Sequence, residues 1–160
     1  MDEFAEYRKA DGSIDWGKKA MDELESSAHK PEKQIVELEN LRAFKLADEL
    51  LDAVWDAVAP WDFFAKKTVG DQIVRSADSV AANIAEGYGR YFFGEYVVFL
   101  YYARGSLKET EFWTEKARRR GLIQEDAYRY LRARLEVLPK ELNALIRTVK
   151  QESKKWAYRK

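Results

Sequence analysis

Cysteine is absent from this 160-residue chain, and histidine occurs once, at position 29. Without cysteine there are no disulfide bonds and no thiolate metal sites, and a reducing compartment is favoured. A single histidine cannot supply the two Glu-x-x-His pairs of a di-iron helical bundle, and it leaves a Ser-His catalytic pair without support. We therefore expect no metal ion, no cofactor and no enzymatic activity.

Long apolar runs are also absent, and none approaches the roughly 18 residues that cross a bilayer. Residues 1–4 are acidic and lack the basic and apolar regions of a signal peptide. Proline occurs only at positions 31, 60 and 139, and no segment alternates polar and apolar residues as a strand does. The sequence therefore predicts a cytoplasmic protein that is helical almost throughout.

Apolar residues recur at spacings of three and four in four long segments, which predicts amphipathic helices. We expect these helices over residues 40–59, 68–89, 94–119 and 125–150. Asn40 is the predicted N-cap of the first helix. The second helix is expected to begin at Thr68, where the sequence resembles a capping box. Pro60 ends the first helix and Gly121 ends the third. Pro139 lies inside the fourth, where the apolar phase continues and predicts a kink rather than a break.

Four long helices joined by short loops predict an all-α protein, an antiparallel up-down-up-down four-helix bundle. The chain adds an N-terminal helical appendage, in which Ser13 is expected to cap a short helix over residues 14–28. The predicted domains are the appendage over residues 1–38, the bundle over residues 39–152 and a basic C-terminal tail over residues 153–160.

The third predicted helix is apolar on nearly every side between Tyr96 and Tyr102. A helix that is hydrophobic all round is usually buried on more than one side. One intramolecular core cannot cover the whole circumference of a helix in a four-helix protein of this size. We therefore expect a second subunit to cover the remainder, which makes the protein a homo-oligomer.

The net charge is zero, from 28 basic and 28 acidic residues, but the charges are unevenly distributed. Residues 1–40 carry a net charge of −5, residues 41–115 of −4 and residues 116–160 of +9. Such an asymmetry indicates a basic binding surface or charge pairing between segments.

The densest basic cluster flanks Gly121 and comprises Arg118, Arg119, Arg120, Arg129 and Arg132. Clustered arginines neutralise phosphates and release counterions, so this cluster is a candidate nucleic-acid site. A solvated, charged helix face explains the same residues equally well, and both interpretations stay open.

Small and polar residues mark the place where the second and third helices are expected to meet: Asn83, Glu86, Gly87, Gly89, Gly105 and Ser106. In one interpretation Asn83 and Glu86 form a buried hydrogen-bonded network, while Gly87 or Gly89 ends the helix in a left-handed conformation. Gly105 and Ser106 would allow two helices to approach closely. In the other interpretation Arg90 and Arg104 face a partner or a phosphate.

Three runs of sequence carry a resemblance to a known family: QIVRSA at residues 72–77, SVAANIAEGYGR at 79–90 and FLYYARGSLKET at 99–110. They resemble the four-helix-bundle proteins encoded in intervening sequences of bacterial large-subunit ribosomal RNA genes. The accessory variability protein of diversity-generating retroelements belongs to the same family. The resemblance covers roughly residues 40–150.

The resemblance implies an antiparallel four-helix bundle that assembles into a homopentamer without known catalytic activity. In the retroelement branch, it implies binding of a reverse transcriptase and of nucleic acid through basic surface residues. The function expected here is a non-enzymatic oligomeric adaptor that binds RNA, DNA or an associated protein such as a reverse transcriptase. The alternative is a protein-only interaction scaffold.

Overall fold

The computed structural model divides the chain into two compact units, Met1–Ile35 and Val36–Lys160. It describes residues 6, 8–10, 12–15, 18 and 36–157, with side chains as far as residue 155. In the first unit Arg8 and Ile14 form an isolated antiparallel bridge around a turn in which Gly12 has a φ of +83°. The helix expected over residues 14–28 lies mostly outside the described residues, and the predicted domain boundaries stay a prediction.

The second unit is a bundle of four long helices: α1 (Arg42–Val58), α2 (Asp71–Tyr88), α3 (Phe93–Arg119) and α4 (Glu125–Ala157). Consecutive helices pack against each other, and α4 also packs against α1, so α1 and α3 lie on a diagonal. Residues 36–157 form no strand. The predicted all-α, antiparallel four-helix bundle is confirmed.

The core lies between the apolar stripes that the helical periodicity predicts. Helix α1 buries every third or fourth residue, at Ala43, Ala47, Leu50, Val54 and Val58. Helix α4 contributes Leu131, Leu135, Leu138, Leu142, Ile146 and Val149. Leu145, next to Ile146, is only partly buried. Burial of each of the leucine, isoleucine and valine side chains contributes about 1.5–3 kcal/mol to stability.

The starts of the first two helices differ from the sequence prediction. Asn40 belongs to a 3₁₀ turn, Leu38–Asn40, and the N-cap of α1 is Leu41, whose side chain makes no capping hydrogen bond. Before α2, helical structure already begins at Phe63, because the Asp62 side chain accepts a hydrogen bond from the backbone N–H of Ala65 at 2.9 Å. A π-helical turn, Lys66–Gly70, then leads into α2. Thr68 lies inside this turn, so the predicted capping box was wrong.

The end of α3 follows the sequence prediction, whereas the end of α4 does not. Gly121 has a φ of +68°, and its N–H donates to the carbonyl of Arg118 at 2.9 Å. The N–H of Leu122 donates to the carbonyl of Ala117 at 3.0 Å, which completes a Schellman motif and confirms Gly121 as the end of α3. Helix α4 continues through Pro139 without a break and extends beyond residue 150 into the segment expected as a tail.

Helices α2 and α3 approach each other closely at Gly87. Gly87 is buried within α2, and an added Cβ would lie 2.7 Å from Cδ2 of Tyr96 and 2.9 Å from Cβ of Phe99. Gly89 ends α2 with a φ of −74°, so neither glycine is left-handed, and the expectation of a left-handed helix end was wrong. Gly87 is required for packing rather than for backbone freedom.

We expect Gly87→Ala to lower the free energy of unfolding by about 1–3 kcal/mol, because the Tyr96 ring and the Phe99 Cβ cannot move aside without shifting α3. Urea denaturation followed by circular dichroism measures the effect.

Gly89→Ala is the matched control. Its Cβ would lie no closer than 3.5 Å to any atom, and its backbone is already helical. We expect this change to be neutral or stabilising by up to about 1 kcal/mol. Equal losses of stability for the two variants would contradict the packing role of Gly87.

Candidate functional site

The polar residues of the small-residue motif do not form a buried network. The Asn83 amide donates to the Ser79 carbonyl of its own helix at 2.7 Å. Glu86 is exposed and forms an ion pair with Arg90, one turn further along the chain. The Arg90 guanidinium also lies 4.5 Å from the centre of the Phe99 ring. These contacts fix the end of α2 locally, and the buried network expected at Asn83 and Glu86 was wrong.

Buried hydroxyl groups, rather than the amide and carboxylate, join α2 to α3. The Thr110 hydroxyl lies 3.0 Å from Oγ of Ser76 and 2.9 Å from the Ser106 carbonyl. Ser76 donates in turn to the Ile73 carbonyl at 3.0 Å, and both hydroxyl-bearing residues are buried. The sequence prediction did not include Ser76 and Thr110, although each is a polar residue on the apolar face of its helix.

The outer face of α3 carries an exposed apolar stripe, whose members are Val98, Tyr102 and Phe112. Tyr102 is 57% exposed and Phe112 is 51% exposed, which is unusual for aromatic side chains on a folded helix. Gly94 and Gly105 lie on the same face, and an added Cβ at either would meet no atom within 4 Å. Nothing within the described subunit therefore requires these two glycines.

Most of the basic cluster near Gly121 is neutralised within the subunit. Arg118 donates two hydrogen bonds to the Glu115 carboxylate, at 2.9 and 3.0 Å, and Arg119 donates a third at 2.7 Å. Tyr128 donates to the same carboxylate at 3.2 Å. The hydrogen bonds from Arg118 and then Arg119 lower the pKa of Glu115 to about 2. This carboxylate is therefore ionised at any physiological pH and balances much of the local positive charge.

The two cluster members on α4 are paired in the same way. Arg129 donates to Glu125 at 3.1 Å. Arg132 bridges two carboxylates, with Glu136 at 3.1 Å on its own helix and Glu111 at 3.2 Å on α3. Most of these carboxylates lie three or four residues away on the same helix, so the charge balance is largely local, and the pair of Arg132 with Glu111 adds one link between two helices.

Two of the predicted arginines make no ion pair with a described residue: Arg104 and Arg120. Arg120 is an exposed residue that ends α3. The Arg104 guanidinium lies 4.9 Å from the centre of the Tyr101 ring. The Lys150 ammonium of α4 donates to the Tyr101 hydroxyl at 2.7 Å, and this hydrogen bond lowers the pKa of Tyr101. Lys150 is a candidate binding residue that the sequence did not bring to attention.

An acidic groove lies between α1 and α4, lined by Glu49, Asp52, Asp56 and Tyr130. Trp55 on α1 is 62% exposed. Arg134 spans the groove, donating to Glu49 at 3.2 Å, while its guanidinium lies 3.3 Å from the centre of the Tyr130 ring. Positive and negative surfaces are therefore segregated on this bundle.

The described residues contain no cluster of His, Asp and Glu side chains that could hold a metal ion. Within the same residues, no helix is both long enough and apolar enough to cross a membrane.

Comparison with known proteins identifies the family from which these features come. The chain is similar to a protein of unknown function from the S23 ribosomal protein family of Bacteroides thetaiotaomicron VPI-5482, solved by crystallography. The TM-score is 0.58 at 22% identity, over 65% of this chain and 97% of that one, a likeness that shows the fold alone. No curated protein matches the chain. The model of the 23S rRNA-intervening sequence proteins matches residues 39–144, and the chain therefore belongs to that family.

Proposed function

We propose that the protein is a non-enzymatic oligomeric adaptor that binds nucleic acid or a nucleic-acid-associated protein such as a reverse transcriptase. The observation that carries the proposal is the exposed apolar stripe of α3. Copies of the chain would cover this stripe and form a ring, and five is the number implied by the resemblance of the sequence to pentameric proteins. RNA, DNA or the associated protein would then bind to surfaces that the ring repeats.

The stripe supports self-assembly because clustered exposed apolar side chains commonly mark a surface that binds another protein. Gly105 strengthens the argument, since glycine inside a helix costs about 1 kcal/mol relative to Ala, and neither Gly105 nor Gly94 has a packing role within the described subunit. A helix of a second copy could approach the backbone closely at both positions. A contact between unlike surfaces of identical subunits closes into a ring when its rotation allows.

Binding of a polyanion is supported by the cations that no carboxylate balances, among them Arg104 and Arg120. The paired arginines, such as Arg118, have part of their charge balanced by a carboxylate, so each contributes less. A single subunit therefore offers only a weak site. Repetition around a ring raises the effective concentration of such sites and can increase the overall affinity by about 10²–10⁴-fold.

A protein-only interaction scaffold is the second candidate function. It is favoured by the ion pairs that neutralise Arg118, Arg119, Arg129 and Arg132, which leave the predicted basic cluster with little free charge. The exposed Trp55 beside the acidic groove offers the kind of surface that a basic protein segment would bind.

Light scattering coupled to size-exclusion chromatography tests assembly. We expect a mass about five times that of the 18.7 kDa chain. The double variant Val98→Asp/Tyr102→Asp should dissociate, because it places charge in the centre of the proposed contact. Ala82→Asp on the exposed side of α2 is the control, and it should leave the assembly intact. A monomeric wild-type protein at micromolar concentration would refute the ring.

Filter binding of a labelled oligonucleotide across a salt series tests the polyanion function. We expect the logarithm of the affinity to fall steeply and linearly with the logarithm of the salt concentration, by about 0.7–0.9 for each phosphate neutralised. RNA and DNA of the same sequence should be compared in parallel. If neither binds at about 50 mM salt, the protein-only scaffold becomes the better description.

A further inference from the structure

The groove between α3 and α4 differs sharply in charge between its two ends. At the end that adjoins Gly121, the arginines on both helices donate to carboxylates of the same groove. The charge there is largely cancelled, although Arg120 forms no ion pair with a described residue. Near the opposite end, around Tyr101 and Lys150, Glu152 pairs with Lys155, and no described carboxylate pairs with Lys150.

At that opposite end, two cations converge on one phenol. The Arg104 guanidinium and the Lys150 ammonium lie 4.9 and 5.3 Å from the centre of the Tyr101 ring, and Lys150 also donates to the Tyr101 hydroxyl. Tyr101 thereby contacts cations from two different helices, although like charges repel. The attraction of Arg104 for the ring and the hydrogen bond from Lys150 to the hydroxyl each offset part of that repulsion.

Two more cations extend the group along α4. Arg147 lies three residues before Lys150 and Lys154 four residues after it, so the three occupy one side of the helix over about 10 Å. None of these residues, nor Arg104, forms an ion pair with a described residue. We call Arg104, Tyr101, Arg147, Lys150 and Lys154 the cationic end of the groove.

We propose that the cationic end of the groove binds the phosphate backbone of a nucleic acid. This inference rests on the proposed binding of a polyanion. It places that binding at the cationic end, whose residues are not those of the arginine cluster near Gly121. The cations are pre-assembled and need not break an ion pair before binding, so they keep more of the counterion-release free energy. A row of charges along α4 fits a continuous polyanion better than a single carboxylate.

Matched pairs of charge-removing variants test the assignment. Arg104→Gln/Lys150→Gln and Arg118→Gln/Arg119→Gln each remove two positive charges, the first pair from the cationic end and the second from the neutralised end. Fluorescence anisotropy with a labelled single-stranded oligonucleotide of about 20 nucleotides measures the dissociation constant across a salt series. We expect the first pair to weaken binding about tenfold near 100 mM salt and to reduce the salt slope by about 1.4.

The second pair should change the affinity by less than about threefold, since its guanidinium groups already serve Glu115. Equal losses for both pairs would mean that only net charge matters, and that result would overturn the site. Arg104→Gln/Lys150→Gln could alter the mass of the assembly or the circular dichroism spectrum. In that case Arg147→Gln/Lys154→Gln is used instead, because the side chains of Arg147 and Lys154 make no described contact.

Two further outcomes separate this site from the proposed function. A wild-type protein that binds no oligonucleotide overturns both. If the Arg104→Gln/Lys150→Gln variant binds the oligonucleotide as well as the wild-type protein does, only the assignment of the site is overturned. Polyglutamate serves as a competitor at equal charge concentration, and we expect it to displace little oligonucleotide. Full displacement by polyglutamate would overturn the phosphate assignment in favour of an acidic protein partner.

Discussion

The close approach of α2 to α3 at Gly87 determines which surfaces of the bundle are available for other contacts. Because Gly87 has no side chain, the Tyr96 ring and the Phe99 Cβ of α3 lie against the α2 backbone. Further along, a hydrogen bond between the buried hydroxyls of Ser76 and Thr110 joins the same two helices, with 3.0 Å between the two oxygens. With this side of α3 fixed against α2, its apolar stripe faces outward.

The orientation of α3 also brings its charged side against α4. Glu111 then meets Arg132 of α4, while Glu115 pairs with arginines of its own helix, in a cluster whose sequence suggested a free basic patch. Exposed ion pairs of this kind contribute little to stability, about 0–1 kcal/mol each. Their larger consequence is electrostatic: they cancel charge along one half of the groove and leave the other half positive.

Helical periodicity predicted the four helices and most of the core because burial on one face imposes a spacing that the sequence displays directly. The start of the second helix could not be read in the same way, since Asp62 caps a turn whose next residues, Phe63 and Phe64, are exposed aromatics typical of a loop. The cationic end was missed for a different reason. Arg104 and Lys150 are far apart in the sequence, and only the register of two antiparallel helices brings both to Tyr101.

The apolar stripe of α3 lies beside Tyr101 and Arg104, the two residues that α3 contributes to the cationic end, and this arrangement has a physical consequence for assembly. Burying an unpaired cation in a contact between subunits costs several kcal/mol, so the contact has to exclude Arg104 or supply it with a carboxylate. A contact centred on Val98, Gly105 and Phe112 covers the stripe while leaving the groove beside it in solvent. Each added subunit would then bury apolar surface and add one more exposed row of positive charge. Because those rows repel one another, a bound polyanion would stabilise the assembly that presents them.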